Sequence, residues 1–428
     1  MIMAYRKRVS EKILEDLLKI SGGILITGAK GVGKTETASF LSKTKYFLSD
    51  PNEKNNVEEL LVLDKSQIFN TDKPILFDEW QDLPQLWDYL RNEIDKNKYK
   101  GAFILTGSST PKNIDKIMHS GIGRINRFVL RTMSLWEQKK SSGRISLESL
   151  FYNENKELFY YKNDVNIKNV ISDVCEGGWP ATLDMNSKEK INYVYEYYNN
   201  LIKYDINYFV SKNLNTNYVS AIMKSYSRNI GSQSSKNVLI NDVSENNSIK
   251  ISESTVFDYL SYLKNLFIIE ELESWTSIKI RSKSIIRTSP TKYFVDPSIA
   301  VAALNLNEEL LLQNLNTLGF LFENLCIRDL RVYAQSINGE VFKYKDSNGL
   351  EIDAAISLRN GKWGLVEIKL SDSEKNIEQA KESLNKVKNN IKVENSIEPS
   401  FLMILVGVGN TRKTSDGFYI VNIKDLKN

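Results

Sequence analysis

The chain has 428 residues, 41% hydrophobic and 26% charged, which excludes a wholly disordered chain and, at about 100–200 residues per domain, implies two to four domains. Its 57 Lys+Arg against 53 Asp+Glu leave a net charge of +4, too even to mark a nucleic-acid binder by charge alone. Two cysteines, Cys175 and Cys326, exclude a disulfide framework and fit a reducing compartment, and a single histidine, His119, excludes His-rich zinc sites and argues against Ser-His-Asp chemistry.

The basic N-terminus, Met1–Arg8, has no apolar segment behind it. The longest apolar runs, near Gly23–Ile26 and Phe401–Val408, are strand-sized and far short of the about 20 residues a membrane helix needs. A cytoplasmic chain without a membrane span is the expectation. Ile13, Leu14, Leu17 and Leu18 are spaced for an amphipathic helix over residues 5–20. Strands are expected at Gly23–Thr27, Pro74–Asp78 and Ala102–Thr106, with a helix over Leu83–Asp95. Strands alternating with helices predict a parallel α/β sheet.

Between the first strand and the next helix stands Gly28-Ala29-Lys30-Gly31-Val32-Gly33-Lys34-Thr35, a GxxxxGK[ST] loop. Its glycines let backbone N–H groups turn inward around phosphate oxygens, and the helix N-terminus adds its dipole. Gly28, Ala29, Lys30, Gly31, Val32, Gly33, Lys34, Thr35 and Glu36 are the candidate ATP contacts, with Lys34 on the β- and γ-phosphates and the Thr35 hydroxyl on Mg²⁺. The second strand ends Asp78-Glu79, where Asp78 would hold the Mg²⁺ and Glu79 polarise the attacking water. The third ends Thr106-Gly107-Ser108-Ser109, and Ser108 is placed as a sensor of the γ-phosphate. Arg124 and Arg127 follow. Arg124 is the preferred arginine for transition-state charge, and if it serves a neighbouring subunit's nucleotide the protein is a homo-oligomer.

At this point the chain resembles a known family. The runs Phe77–Pro84 (FDEWQDLP), Phe103–Ser109 (FILTGSS), His119–Ile125 (HSGIGRI), Met133–Glu137 (MSLWE), Cys175–Pro180 (CEGGWP) and Tyr293–Ser298 (YFVDPS) are similar to prokaryotic AAA-type ATPases with a C-terminal DUF4143 domain. Ile122 departs from the small residue many relatives carry there. The resemblance implies a helical lid and a winged helix after the ATPase core, and it places Pro180, in the lid's Gly-x-Pro element, near the adenine.

Ser252–Val256 begins like an N-capped helix, with Val256, Tyr259, Leu260, Leu263 and Phe267 on one face and a strand expected over Leu266–Leu272. Residues 277–292 hold Lys279, Arg281, Lys283, Arg287 and Lys292 without an acid, a candidate basic wing for a DNA backbone.

Beyond residue 292 the pattern is α/β again: a helix over Gly319–Tyr333, strands over Glu340–Lys345, Glu351–Ser357 and Trp363–Lys369, a helix over Glu374–Lys388 and a strand over Ser400–Val406. Period two puts Glu367 and Lys369 on one face of their strand, where Asp353 of the neighbouring strand can meet them. Two carboxylates, Asp353 and Glu367, suffice for Mg²⁺, and a lysine beside it can orient or deprotonate a water for phosphodiester cleavage. This arrangement resembles the PD-(D/E)xK nucleases, with Glu323 matching their helix carboxylate.

The expected fold is therefore α/β: an AAA-type core (1–150), a helical lid (151–235), a winged helix (236–291) and a restriction-endonuclease-like domain (292–428). The expected function is ATP binding and hydrolysis coupled to action on DNA. The competing readings are a nucleotide-controlled switch or scaffold, and a remodeler of branched DNA, each with a non-catalytic nuclease fold.

Overall fold

The computed structural model describes residues 5–107, 121–152, 157–207, 214–247, 251–275, 289–346, 349–394 and 398–428. The chain divides into two compact units. The first holds Met1–Thr132, Asp205–Asn213 and Tyr262–Ile268, and the second Met133–Tyr204, Leu214–Ser261 and Ile269–Asn428. Residues 133–150, which the sequence reading joins to the ATPase core, fall in the second unit.

The first unit runs α1 (Glu11–Ile20), β1 (Gly23–Thr27), α2 (Lys34–Leu41), β2 (Thr44–Phe47), α3 (Pro51–Leu63), α4 (Ser66–Phe69), β3 (Ile75–Asp78), α5 (Leu86–Asn97), β4 (Phe103–Thr106) and β5 (Ile125–Val129). All five strands are parallel, in the order β2-β3-β4-β1-β5. β3 and β4 are buried at every position, as strands covered on both faces must be, so they read as unbroken apolar runs. β2 and β5 escape sequence reading because neither is a continuous apolar run: Thr44-Lys45-Tyr46-Phe47 is an edge strand with no buried position, and β5 is buried only at Ile125 and Phe128. The expected helix over 5–20 starts only at Glu11, because Arg8 is drawn into bonds with the carbonyls of Val32 and Arg131.

The second unit contains β6 (Ile145–Ser146), α6 (Leu147–Phe151), β7 (Tyr160–Tyr161), α7 (Ile167–Glu176), α8 (Ser187–Asn200), α9 (Thr216–Arg228), α10 (Lys236–Asn247), most of α11 (Glu253–Asn265), α12 (Pro297–Ala303), α13 (Glu308–Gln313) and α14 (Leu315–Ser336). It continues with β8 (Gly339–Lys345), β9 (Glu351–Leu358), β10 (Trp363–Ser371), α15 (Glu374–Glu394), β11 (Leu402–Val408), β12 (Thr411–Lys413), β13 (Tyr419–Asn422) and β14 (Leu426–Lys427). Its main sheet has seven strands, β7-β12-β13-β11-β10-β9-β8, and β6 pairs with β14 apart from it. Ile377, Ala380, Leu384, Val387 and Ile391 form one stripe of α15 and pack on Trp363, Leu365, Ile404 and Ile420 of the sheet. The strand expected over 266–272 is reduced to single antiparallel pairings of Ile269 with Phe294 and of Leu272 with Thr291.

Arg328 of α14 is fully buried. Its guanidinium donates to Asp296 at 3.0 Å and to Asp329 at 2.9 Å. Asp296 accepts the Gly178 N–H, and Asp329 accepts the Leu135 N–H. Three sequence runs far apart in the chain, around Leu135, Gly178 and Asp296, thus meet on one arginine.

Candidate functional site

The loop from Gly28 to Gly33 leaves the carboxyl end of β1 and opens α2. Gly28 (φ 146°), Gly31 (82°) and Gly33 (91°) hold backbone conformations that side chains disfavour. A Cβ on Gly28 would lie 2.2 Å from the Leu130 carbonyl oxygen, so no other residue fits there. No side chain caps the first turn of α2, the open helix N-terminus that receives phosphate oxygens. Lys34 is buried and folded back, its ammonium donating to the carbonyls of Gly28 (3.1 Å) and Ala29 (3.0 Å). Burial pushes its pKa down to about 8, opposed by the charges of Glu79 and Asp78. Ala29 and Val32 are buried, Thr35 is half-buried, and Glu36 and Lys30 are exposed. Lys30 is paired with Asp205 at 2.9 Å.

The neighbouring strand ends converge on the same edge. Asp78, buried at the end of β3, accepts the hydroxyl of Thr106 at 2.5 Å. That same hydroxyl oxygen accepts the Glu79 N–H at 3.1 Å. Glu79 is in the left-handed region (φ 53°), a sparsely populated conformation for a non-glycine residue. Its carboxylate takes a donor from the Gln81 amide, and burial raises its pKa, with Gln81 and Lys34 opposing. Sequence reasoning passed over Thr106, naming it only as part of the strand end, and passed over Arg8, whose guanidinium donates to Val32 of the loop at 2.8 Å.

Arg124 and Arg127 are not brought to this edge. Ser108 lies outside the described residues, as does His119. Arg124 is exposed and salt-bridged to Asp95 at 2.9 Å. Its carbonyl accepts from Gly23, the first residue of β1. That is the opposite end of the strand from the phosphate loop, about 13 Å away at 3.3 Å per residue. Arg124 therefore cannot serve its own chain's nucleotide. Arg127, registered with Leu25, is exposed. Pro180 begins a short turn in the second unit, after Trp179, which is buried and donates its indole N–H to Ser298 at 3.0 Å.

The second unit gathers its own polar cluster. Ala354 pairs with Val366 in the β9–β10 ladder, so the next step sets Asp353 beside Glu367. Asp353 accepts the Ile368 N–H at 2.8 Å. Lys369 donates to Oε1 of Glu367 at 2.9 Å, and Oε2 of Glu367 is buried without a partner. Burial, reinforced by the Asp353 charge, pushes the Glu367 pKa up to about 8. Glu323 of α14 accepts the Tyr293 hydroxyl. The residue that sequence reasoning missed is Lys343 of β8, 3% exposed, whose ammonium lies 3.2 Å from Glu323 and 3.1 Å from Asp353. Glu323, Asp353 and Lys369 line a cavity of about 320 Å³ with Phe320, Phe322 and Asn376. Of the basic wing, Lys279, Arg281, Lys283 and Arg287 lie outside the described residues, and Lys292 is buried with its ammonium on the Ser234 carbonyl.

Residues 21–138 match the family model of the AAA domain, and residues 318–426 match that of DUF4143, a domain of unknown function. Residues 168–310 match a further domain of unknown function, DUF8612, which spans the expected boundaries at 235 and 291. The chain thus carries an AAA domain and a C-terminal DUF4143 domain. No curated protein matches it. Among solved structures, AMPPCP-bound DnaA from Aquifex aeolicus is similar at 13% identity over 62% of this chain and 89% of that chain, with a TM-score of 0.29, a likeness too loose to argue from. Among the described residues no helix is long and apolar enough to cross a membrane.

Proposed function

We propose that the protein hydrolyses ATP and acts on DNA, with a Mg²⁺-dependent nuclease site in its C-terminal domain. The observation that carries the ATPase half is the convergence of Lys34, Asp78 and Glu79 at the carboxyl ends of parallel strands, with Thr106 of the strand between them bonded to both Asp78 and Glu79. Lys34 leaves the Gly28 and Ala29 carbonyls for the phosphates, and Thr35 and Asp78 hold Mg²⁺. Glu79, its pKa raised, takes a proton from the attacking water. Arg124 acts only across a subunit boundary.

The C-terminal half rests on Oε2 of Glu367, a buried carboxylate oxygen without a partner and so suited to a cation. Asp353 and Glu367 would hold the Mg²⁺, which supplies positive charge for the phosphate and its leaving oxygen. Lys369 orients the water. Helices α9, α10 and α11, followed by the antiparallel pairings at Ile269 and Leu272, support a winged-helix reading for the DNA contact.

One observation favours a second reading. Lys343 already neutralises part of the carboxylate cluster, as it would in a domain that only binds a partner under the control of the nucleotide state. ATP turnover, measured with and without single-stranded, duplex and branched DNA, separates the two. Stimulation by DNA is expected, and Lys34→Ala should abolish turnover. Undiminished hydrolysis in Lys34→Ala would defeat the ATPase assignment. Slow turnover indifferent to DNA would favour the switch, and strand displacement with intact product would favour the remodeler.

A further inference from the structure

Lys343 belongs to no motif, yet it is the most completely enclosed cation of the C-terminal cluster. A lysine is almost never fully buried unless paired, and Lys343 is paired twice, with Glu323 at 3.2 Å and Asp353 at 3.1 Å. The backbone holds it there by design. Phe342 pairs with Ala355 and Tyr344 with Ile352, so Ala354 and Asp353 together oppose Lys343 across a β-bulge, a device that re-aims side chains. On its other side, Lys343 exchanges backbone hydrogen bonds with Glu273 (2.9 Å) and Trp275 (2.7 Å).

Three of the four carboxylate oxygens of its two partners are correspondingly taken. Oε1 of Glu323 accepts both Tyr293 and Lys343. Oδ1 of Asp353 accepts Lys343, and its Oδ2 accepts the Ile368 N–H. Among the described residues no group of three or more His, Cys, Asp or Glu could hold a metal ion, so Glu323 does not converge with Asp353 and Glu367 on one point.

We propose that the C-terminal site takes one divalent cation rather than two, because the Lys343 ammonium permanently fills the place between Glu323 and Asp353 that a second would need. Glu323 is then a positioning residue that seats Lys343, and not a metal ligand. The inference rests on the Asp353–Glu367 cation reading above. Once the ion has displaced the Glu367 proton, Glu323, Asp353 and Glu367 against Lys343 and Lys369 leave one negative charge. One divalent ion turns the cluster positive, fit for a phosphate, and a second would be repelled.

The test counts Mn²⁺ bound to the nucleotide-free full chain by electron paramagnetic resonance, a readout independent of cleavage. One ion per chain is expected for the native protein, and none for Asp353→Asn combined with Glu367→Gln. Lys343→Met, which frees two carboxylates, should bind two. Glu323→Gln should keep the single ion with less than a tenfold change in affinity. Because Lys343→Met loses a buried charge and can unfold, Glu323→Gln decides independently of it. Two ions in the native protein, a folded Lys343→Met that still binds one, or a Glu323→Gln that loses the ion would overturn the proposal. No ion in the native protein would overturn the cation reading on which it stands.

Discussion

Lys34 is stored inside its own loop, and that storage has a pH signature. With its pKa held near 8 by burial, the free protein loses the Lys34 charge above that pH. Phosphate oxygens favour the charged form, so nucleotide affinity should be flat below about pH 8. Above it, affinity should fall by up to about tenfold per pH unit, with proton uptake on binding. Calorimetry in buffers of different ionisation enthalpy checks this; affinity unchanged between pH 7 and 9.5 would contradict it. The sign for stability is the reverse. Between pH 8 and 10.5 the unfolded chain holds the proton that the native loop has lost, so a destabilisation present at neutral pH fades as pH rises.

Thr106 makes a second claim at this scale. Thr106→Val removes the donor to Asp78 and leaves the Glu79 N–H without its acceptor. Each such loss is worth on the order of 1–3 kcal/mol, so turnover should fall about tenfold to a hundredfold while nucleotide binding changes by only a few-fold. Equal losses in both, measured by steady-state hydrolysis and equilibrium titration, would refute a role confined to the Asp78–Glu79 pair. Lys34, Asp78, Glu79 and Thr35 were legible because loop chemistry and strand-end carboxylates leave a local pattern. Thr106 and Lys343 were not, because each acts across strands, and a single Thr or Lys in a strand carries no signal of its own.

At the scale of elements, β3, β4 and the first six residues of β10 announce themselves by continuous burial, and α15 by its apolar stripe. The alternating edge strand β2 does not, nor do the two-residue strands β6 and β7, whose partners lie in the last strands of the chain. The long helix α14 was legible as a helix, but not its cargo. Arg328 sits in its middle with both carboxylate partners fully buried. Arg328→Met leaves Asp296 and Asp329 as uncompensated buried charges, and should cost about 3–5 kcal/mol. Urea unfolding of the full chain followed by tryptophan fluorescence reads it, with Trp179, buried beside Ser298, among the six reporters. A loss below about 1 kcal/mol would mean that the three runs meeting there hold together without the arginine.

At the scale of the molecule, an AAA domain and a DUF4143 domain occupy the two ends of one chain, and each carries a constellation of acids and lysines built on strand ends or strand faces. The order of these parts was legible from motifs read in sequence. The grouping of residues 133–150 with the second unit was not, because it rests on contacts far apart in the chain, of Leu135 with Asp329, Ser141 with Leu426 and β6 with β14. The proposed function joins metal-dependent chemistry on DNA at the C-terminal cluster to ATP hydrolysis in the same chain. The most direct measurement incubates the full chain with single-stranded, duplex and branched DNA, with Mg²⁺ or Mn²⁺, with and without ATP, beside Asp353→Ala and Lys369→Ala. Metal-dependent cleavage by the native protein, lost in both variants, is the predicted result. Uncut DNA under every condition, with ATP turnover intact, would contradict it and leave the C-terminal domain a binding module.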